Sequence, residues 1–252
     1  MTKTIAAGRH ALLTSTKGGT GKSTTACLLA TVARLDDYEV AVFDADAAVS
    51  TSYLALQARG IPEDAQDPRR NAVRYDIRDP EEAQTFNRAM EIGARNILHD
   101  LPGGAHAALA GLFPQGYGKG LGELPMVADA YGYRLTILHM ITSDRAHNAS
   151  VETLIAEFGD TVDYIAVLNR GLISPGHSVD FWQSGPARQK LLAMGGYEVE
   201  LPRISAHLYE YGLRGLVDES IIADRFHKHL RHLFLEACKK AFDPILPLVF
   251  TK

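Results

Sequence analysis

The stretch that decides the fold is Thr14-Ser15-Thr16-Lys17-Gly18-Gly19-Thr20-Gly21-Lys22-Ser23-Thr24, which runs directly into the apolar segment Ala26-Cys27-Leu28-Leu29-Ala30. Residues 10–15 before it have the apolar character of a buried strand, and residues 22–35 after it carry the period of a helix. A strand, a glycine-rich turn and a helix N-terminus in this order read as a phosphate-binding loop over 15–24. Gly18, Gly19 and Gly21 let successive backbone N–H groups turn inward around phosphate oxygens, and the positive end of the helix dipole adds to them. Lys22 supplies a mobile charge for β- and γ-phosphates, and Ser23 places a hydroxyl where Mg²⁺ must sit. The candidate nucleotide-binding set of this segment is therefore Lys17, Gly18, Gly19, Thr20, Gly21, Lys22, Ser23 and Thr24.

Outward from the loop, apolar runs of strand length alternate with longer stretches of helical period. Strands are expected over 10–15, 39–45, 95–100, 133–141, 162–169 and 197–201, and helices over 22–35, 80–92, 146–158, 181–194, 205–211 and 217–242. That rhythm predicts an α/β fold: one domain spanning 1–252, a doubly wound, mostly parallel sheet with helices on both faces. Three connections stand out. Residues 59–71 are rich in proline and charge and read as a solvated connector or small insertion. Residues 102–125 carry seven glycines, a composition compatible with a floppy surface loop or with a nucleotide-responsive switch. Residues 173–185 hold the only tryptophan, Trp182, placed either in the core or on a contact surface.

The 252 residues are 46% hydrophobic, enough for a sizeable core, and 26 basic side chains against 30 acidic ones give a net charge of -4. A wholly cationic nucleic-acid-binding surface is excluded, although a local patch is not. The two cysteines, Cys27 and Cys238, are far apart in apolar surroundings, which excludes a disulfide framework and any Cys-x-x-Cys metal site. The first apolar run, Ala11 to Leu13, is too short for a signal peptide or a membrane span of ~20 residues. The chain thus reads as a cytoplasmic protein.

Two further segments carry carboxylates. The second expected strand ends Val42-Phe43-Asp44-Ala45-Asp46, at the sheet edge where open α/β folds bind ligands, and strand alternation points both aspartates the same way. The run Asn96-Ile97-Leu98-His99-Asp100 has the Walker B form, an apolar strand ending in an acid, so Asp100 is expected to hold Mg²⁺ opposite Ser23, with Asp44 in the same metal set. His99 alternates away from Asp100 and reads as a packed histidine.

Lys17 standing directly before Gly-Gly-Thr-Gly-Lys-Ser-Thr resembles the deviant Walker A box of the ParA/MinD family, and the resemblance extends over residues 9–240. It implies an ATPase using ATP and Mg²⁺ that forms a nucleotide-sandwich homodimer, in which Lys17 reaches the partner's phosphates. A lysine at the mouth of a phosphate loop would in any case neutralise charge developing in phosphoryl transfer. Asp44-Ala45-Asp46 is similar to the family's Asp-Ala-Asp box, which assigns Asp46 to orienting the attacking water; Ala47-Ala48 stands where the family usually has Pro-Gln. By the same resemblance, 44–50 and 100–125 are the switch regions. Asn169-Arg170 is similar to the pair placed beside adenine, and Pro202 to the proline of the second adenine loop. The guanine-reading acid of other phosphate-loop proteins would fall at Leu172, which accepts no hydrogen bond, so ATP is expected rather than GTP.

What such an ATPase would act on is read from the remaining features. The cysteines do not suit the iron–sulfur relatives, one phosphate loop does not suit the anion pumps, and the tail 243–250 has prolines and no cationic face where MinD-like members carry a membrane helix. The tail is expected to pack on the domain or on a partner. In the last long helix Arg225, Lys228, Arg231, Lys239 and Lys240 face a single acid, Glu236, with Phe226, Leu230, Leu233, Ala237 and Ala241 as the opposing apolar stripe. Position and charge resemble the non-specific DNA surface of ParA-like proteins, where phosphate contacts would be salt-sensitive and sequence-independent. The expected function is a partitioning or positioning switch with a stimulating protein partner and a nucleoid location. Rival readings are an ATP-dependent ligase of the same fold and an ATP-binding accessory subunit with little turnover.

Overall fold

The computed structural model describes residues 8–113, 120–171, 179–203 and 225–252. Its frame is one sheet of seven strands, all parallel: β1 (Gly8–Thr14), β2 (Ala41–Asp44), β3 (Val73–Arg74), β4 (Asn96–Asp100), β5 (Tyr133–Ile141), β6 (Asp163–Asn169) and β7 (Tyr197–Leu201), in the order β3-β2-β4-β1-β5-β6-β7. The α/β, doubly wound class expected from the alternation is the fold observed. β1 lies in the middle, paired to β4 on one side and β5 on the other. Chain order reverses across it, so the loop leaving β1 opens at the topological switch point, where such sheets place their ligands.

Helices cover both faces: α1 (Lys22–Leu35), α2 (Thr51–Leu56), α3 (Gln84–Glu91), α4 (His106–Gly111), α5 (Leu124–Ala130), α6 (Ala146–Phe158), α7 (Asp180–Gln183), α8 (Pro186–Ala193), α9 (Arg225–Phe242) and α10 (Leu246–Val249). Side chains of β1 divide between two cores. Leu12 faces one formed with Phe43, Phe86, Ile97 and Trp182, whereas Ala11 and Leu13 face another formed with α1, Phe242 and Phe250. A strand buried on both faces needs apolar residues at every position rather than at alternate ones, hence the continuous Ala11-Leu12-Leu13 run.

Several expectations change in detail. β3 was not anticipated, because a two-residue, half-buried strand carries too little pattern to read. The helix expected over 181–194 is two, α7 and α8, broken where Gly185 meets Pro186: a Cβ on Gly185 would stand 2.3 Å from the Phe181 carbonyl oxygen, and Pro186 has no N–H to continue the helix. Trp182 is fully buried, and its indole N–H donates to Glu198 at 2.7 Å, so of the two readings of Trp182 the core one holds. The helix expected over 205–211, the first residues of the one expected over 217–242, and Leu172 lie outside the described residues.

The apolar stripe of α9 is displaced by about one residue from the expected one. Phe234, Cys238 and Phe242 are buried, while Leu233 is 52% exposed and Ala237 is also exposed; a one-residue step turns a helix by about 100°. The prolines of the tail do not exclude a helix either. Pro247 occupies the first turn of α10, where its missing N–H is not needed. The tail packs on the domain: Leu246, Val249 and Phe250 are buried beneath the sheet, and Asn96 exchanges hydrogen bonds with the Thr251 backbone at 2.7 and 2.8 Å. Among the described residues no helix is long and apolar enough to cross a membrane.

Candidate functional site

The loop between β1 and α1 takes the shape its glycines allow. Gly19 and Gly21 have φ of 72° and 86°, a region closed to most side chains, and Gly21 starts α1 without any side-chain cap. The first-turn N–H groups are therefore directed at the cleft rather than at the protein, the arrangement that binds anions. Lys22 is buried and, among the described residues, makes no ion pair. Burial lowers its pKa, opposed by the charges of Asp100 and Asp46. An ammonium held without a partner at an uncapped helix N-terminus is suited to a phosphate.

The segment that follows β4 rests on this loop. Leu101 N–H donates to Leu13 O and Gly104 N–H to Ser15 O, at 3.1 and 3.0 Å. A Cβ on Gly103 would lie 2.5 Å from the Gly18 nitrogen, so the glycine here serves close backbone approach. A cleft of about 230 Å³ opens between the two, lined by Gly18, Lys22, Ser23 and Gly103, with Asp46 on its far wall.

The three aspartates occupy different situations. Asp44 and Asp100 are register partners on β2 and β4, both buried. Asp44 spends one oxygen on the Asp46 N–H (3.1 Å) and the other on the Tyr53 N–H (2.9 Å), holding the start of α2. Burial raises its pKa and those backbone bonds lower it. Asp100 accepts from the Ser52 hydroxyl at Oδ2, while its buried Oδ1 takes no hydrogen bond among the described residues. Burial first, then the neighbouring Asp44 charge, raises the Asp100 carboxyl to about 7, against the pull of the Ser23 and Ser52 hydroxyls and Lys22.

An unused, buried carboxylate oxygen beside a serine hydroxyl is a hard-oxygen donor set that fits Mg²⁺. A cation there must displace any proton on Asp100. Divalent-cation affinity should therefore fall as pH drops below about 7 and level off above it, with protons released as the cation binds in the lower range. Titration calorimetry with Mn²⁺ and ADP, in two buffers of different ionisation heat, measures that proton release.

Asp46 is only partly buried. Its backbone forms an isolated antiparallel bridge with Asp76, and its carboxylate meets the Arg78 guanidinium at 3.3 Å. Lys17, with its side chain 62% exposed, is ion-paired to Asp144 at 2.7 Å across a second cleft of about 250 Å³ lined by Gly18, Thr20 and His147. Asp144 is held in turn by the Ala146 N–H at the start of α6, and its bond to Lys17 lowers its pKa. His147, neutral in its buried setting, accepts the Thr142 N–H at Nδ1 and shapes the same turn.

On the other flank, Asn169 donates to the Thr20 carbonyl at 3.0 Å and accepts from the Gly171 N–H. Arg170 forks onto Glu200, and Pro202 follows β7 on the same edge. The structure thus brings Lys17 to Thr24, Asp44, Asp46, Asp100, Asn169, Arg170 and Pro202 to the C-terminal edge of the sheet. His99 lies in the core, stacked on Phe43 and accepting or donating a 2.9 Å bond with Tyr75 Oη, and burial holds its pKa well below the usual value.

The C-terminal part of the basic helix α9 lies beside the end of α1 away from the phosphate loop. Lys239 is paired with Asp36 at 2.7 Å, so its charge is already countered, while Lys240 is exposed. The side chains of Arg225, Lys228 and Arg231 lie outside the described residues. Sequence reasoning missed Asp144, Ser52 and Arg78. Asp144, two residues before α6, carried a helix-start signal that was legible; the other two had none, because only the fold carries them to the loop.

Fold and site together define a phosphate-loop nucleotide-binding protein. A family profile described as the CobQ/CobB/MinD/ParA nucleotide-binding domain matches residues 11–240, and the chain belongs to that family. Among solved structures it is similar to the MinC:MinD cell division protein complex of Aquifex aeolicus, with TM-score 0.50 and 14% identity over 93% of this chain and 96% of that one. It is also similar to the MinD cell division protein of the same organism (TM-score 0.47, 14% identity, 93% and 97% of the chains). A nucleotide-binding protein in complex with ADP from Archaeoglobus fulgidus matches at TM-score 0.47 and 18% identity over 85% and 87%. At 14% identity the likeness to the MinC:MinD complex speaks to fold alone. A search of curated protein sequences gave no match.

Proposed function

We propose that this protein is a ParA-like ATPase that dimerises on binding ATP and Mg²⁺ and works as a partitioning or positioning switch. The observation that carries the reading is the placement of Lys17. It stands exposed at the mouth of the phosphate loop, on the opposite flank from Asp46, where a second copy facing the first could be reached. In this reading Lys22 and the loop amides hold the phosphates, Ser23 and Asp100 hold Mg²⁺, and Asp44 fixes the segment that carries Asp46. Asp46 orients the attacking water. Mg²⁺, when bound, supplies charge neutralisation at the transferring phosphate. Asn169, Arg170 and Pro202 border the adenine.

Non-specific DNA contact through α9 would rest on Arg225, Lys228, Arg231 and Lys240, since Lys239 is tied to Asp36. Such contact would be weak and salt-dependent. A stimulating partner protein would release the DNA-bound dimer by promoting hydrolysis.

The test is sedimentation with ATP, ADP or no nucleotide, for wild type, Lys17→Ala and Asp46→Ala, followed by DNA retention over a salt series. Wild type should dimerise with ATP alone. Asp46→Ala should lose turnover by about a hundredfold or more and accumulate as the dimer, and Lys17→Ala should stay monomeric. Monomers throughout, with ATP bound, would reject the switch and leave an ATP-binding subunit. Dimers that ignore DNA at low salt would reject only the DNA contact.

A further inference from the structure

The segment after α2 does more than connect. Gln66 pins it to the Ala58 and Ile61 backbones, and β3 then joins the outer edge of β2. Beyond β3 the chain keeps following β2 past its last residue. Tyr75 N–H donates to Asp44 O, Ile77 N–H donates to Ala45 O, and Asp76 bridges Asp46. Tyr75 and Ile77 are each 2% exposed, so this track is anchored in the core. The next residue is Arg78, whose N–H is fixed by the Asp76 carboxylate at 2.9 Å.

Resting on the reading of this site as one for ATP, we propose that Arg78 is a terminal-phosphate ligand contributed by the same chain, a residue that distinguishes ATP from ADP. Its guanidinium lies against Asp46, and Asp46 lines the cleft together with Lys22 and Ser23. The contact is a single one at 3.3 Å, long for a charged pair, and the Arg78 side chain is 49% exposed. An exposed pair of this kind is held weakly and gives way readily to a better acceptor. A terminal phosphate is such an acceptor, because its oxygens match the arginine fork with two parallel bonds.

The charge balance favours the exchange. Asp46 lines the cleft, with Asp44 and Asp100 buried nearby, whereas among the described residues Lys22 is the cation in its wall, with Lys17 turned aside to Asp144. A polyanion entering that setting needs further positive charge, and Arg78 is the guanidinium that touches its lining through Asp46. Moving onto the phosphate would also free the Asp46 carboxylate from its ion pair, so that the group assigned to the water is released only when there is a phosphate to attack. A diphosphate leaves Arg78 on Asp46.

Dissociation constants for ADP and for the non-hydrolysed β,γ-imido analogue of ATP, each with Mg²⁺, test this in wild type, Arg78→Ala and Arg78→Lys. Arg78→Ala should weaken the triphosphate analogue by about tenfold to a hundredfold, the scale of charge-assisted hydrogen bonds. ADP affinity should stay within about twofold, because no diphosphate oxygen is contacted, and Arg78→Lys should recover part of the loss, keeping the charge but not the fork. Equal loss for both nucleotides, or no loss for either, overturns the assignment while leaving the nucleotide site intact. A wild-type protein that binds neither nucleotide overturns the site as well. The melting temperature without nucleotide, unchanged in Arg78→Lys, separates phosphate contact from mere support of the Asp46 loop; a matching fall in both variants overturns the proposal.

Discussion

Lys22→Ala is expected to lose nucleotide affinity by two to three orders of magnitude, on the order of 3–4 kcal/mol, as two charge-assisted phosphate contacts disappear together. The apo protein should remain folded. Lys22 is a buried ammonium without an ion-pair partner among the described residues, and its desolvation already lowers its pKa. Removing it deletes a desolvated charge rather than a packed apolar group, so little native stability depends on it. Lys22→Arg should not rescue binding: the guanidinium is larger and planar, and the loop backbone closes around a point charge. Equilibrium binding of a fluorescent ATP analogue, read beside thermal unfolding of the apo protein, checks both halves. Retained affinity in Lys22→Ala would mean that the loop amides alone hold the phosphates, which would count against the whole site.

Phe250→Ala should show the opposite pattern. Its ring is buried at the bottom of the α1 face, in one cluster with Leu246, Val249 and Phe242 and 6.3 Å from the Tyr38 ring. Truncating such an aromatic removes about 3–5 kcal/mol through lost transfer energy and an unfilled cavity. For a chain of this size that lowers the melting temperature by roughly 6–20 °C, at 2–4 °C per kcal/mol. The Thr251 backbone next to it closes two hydrogen bonds with the buried Asn96 side chain, so displacing the tail would also strand an amide in the core. Asn96 begins β4, at the edge opposite the phosphate loop. Nucleotide affinity measured well below the melting temperature should therefore be unchanged. A stable Phe250→Ala protein would show that the tail is dispensable packing.

The two substitutions separate what a nucleotide feels from what the fold feels, and they reflect two kinds of legibility. The phosphate loop could be read because its chemistry is contiguous: Gly18, Gly19, Gly21, Lys22 and Ser23 act through backbone and side chains within one turn, and the flanking strand and helix have strong periods. Asp100 was legible for a similar reason, an acid at the end of an apolar run. The tail was not: its burial depends on a groove made by α1 and the strands beneath it, and a proline that reads as a helix breaker sits harmlessly in a first turn. The stripe of α9 was misread by about one residue because Leu233, Phe234 and Leu235 are consecutive apolar residues, so two neighbouring stripes fit the same run.

By itself, then, the sequence determined that this protein is an α/β chain with a phosphate loop, three candidate acids at the sheet edge and ATP as the expected ligand. Those features are local in the chain, and each is written within a dozen residues. Tertiary structure alone decided that Asp144 holds Lys17, that Ser52 holds Asp100, and that β3 continues along β2 to set Arg78 beside Asp46. These pairs join residues 32 to 127 positions apart, and no periodicity encodes them, because side chains so distant meet only after parallel strands and their crossovers have fixed which loops share an edge.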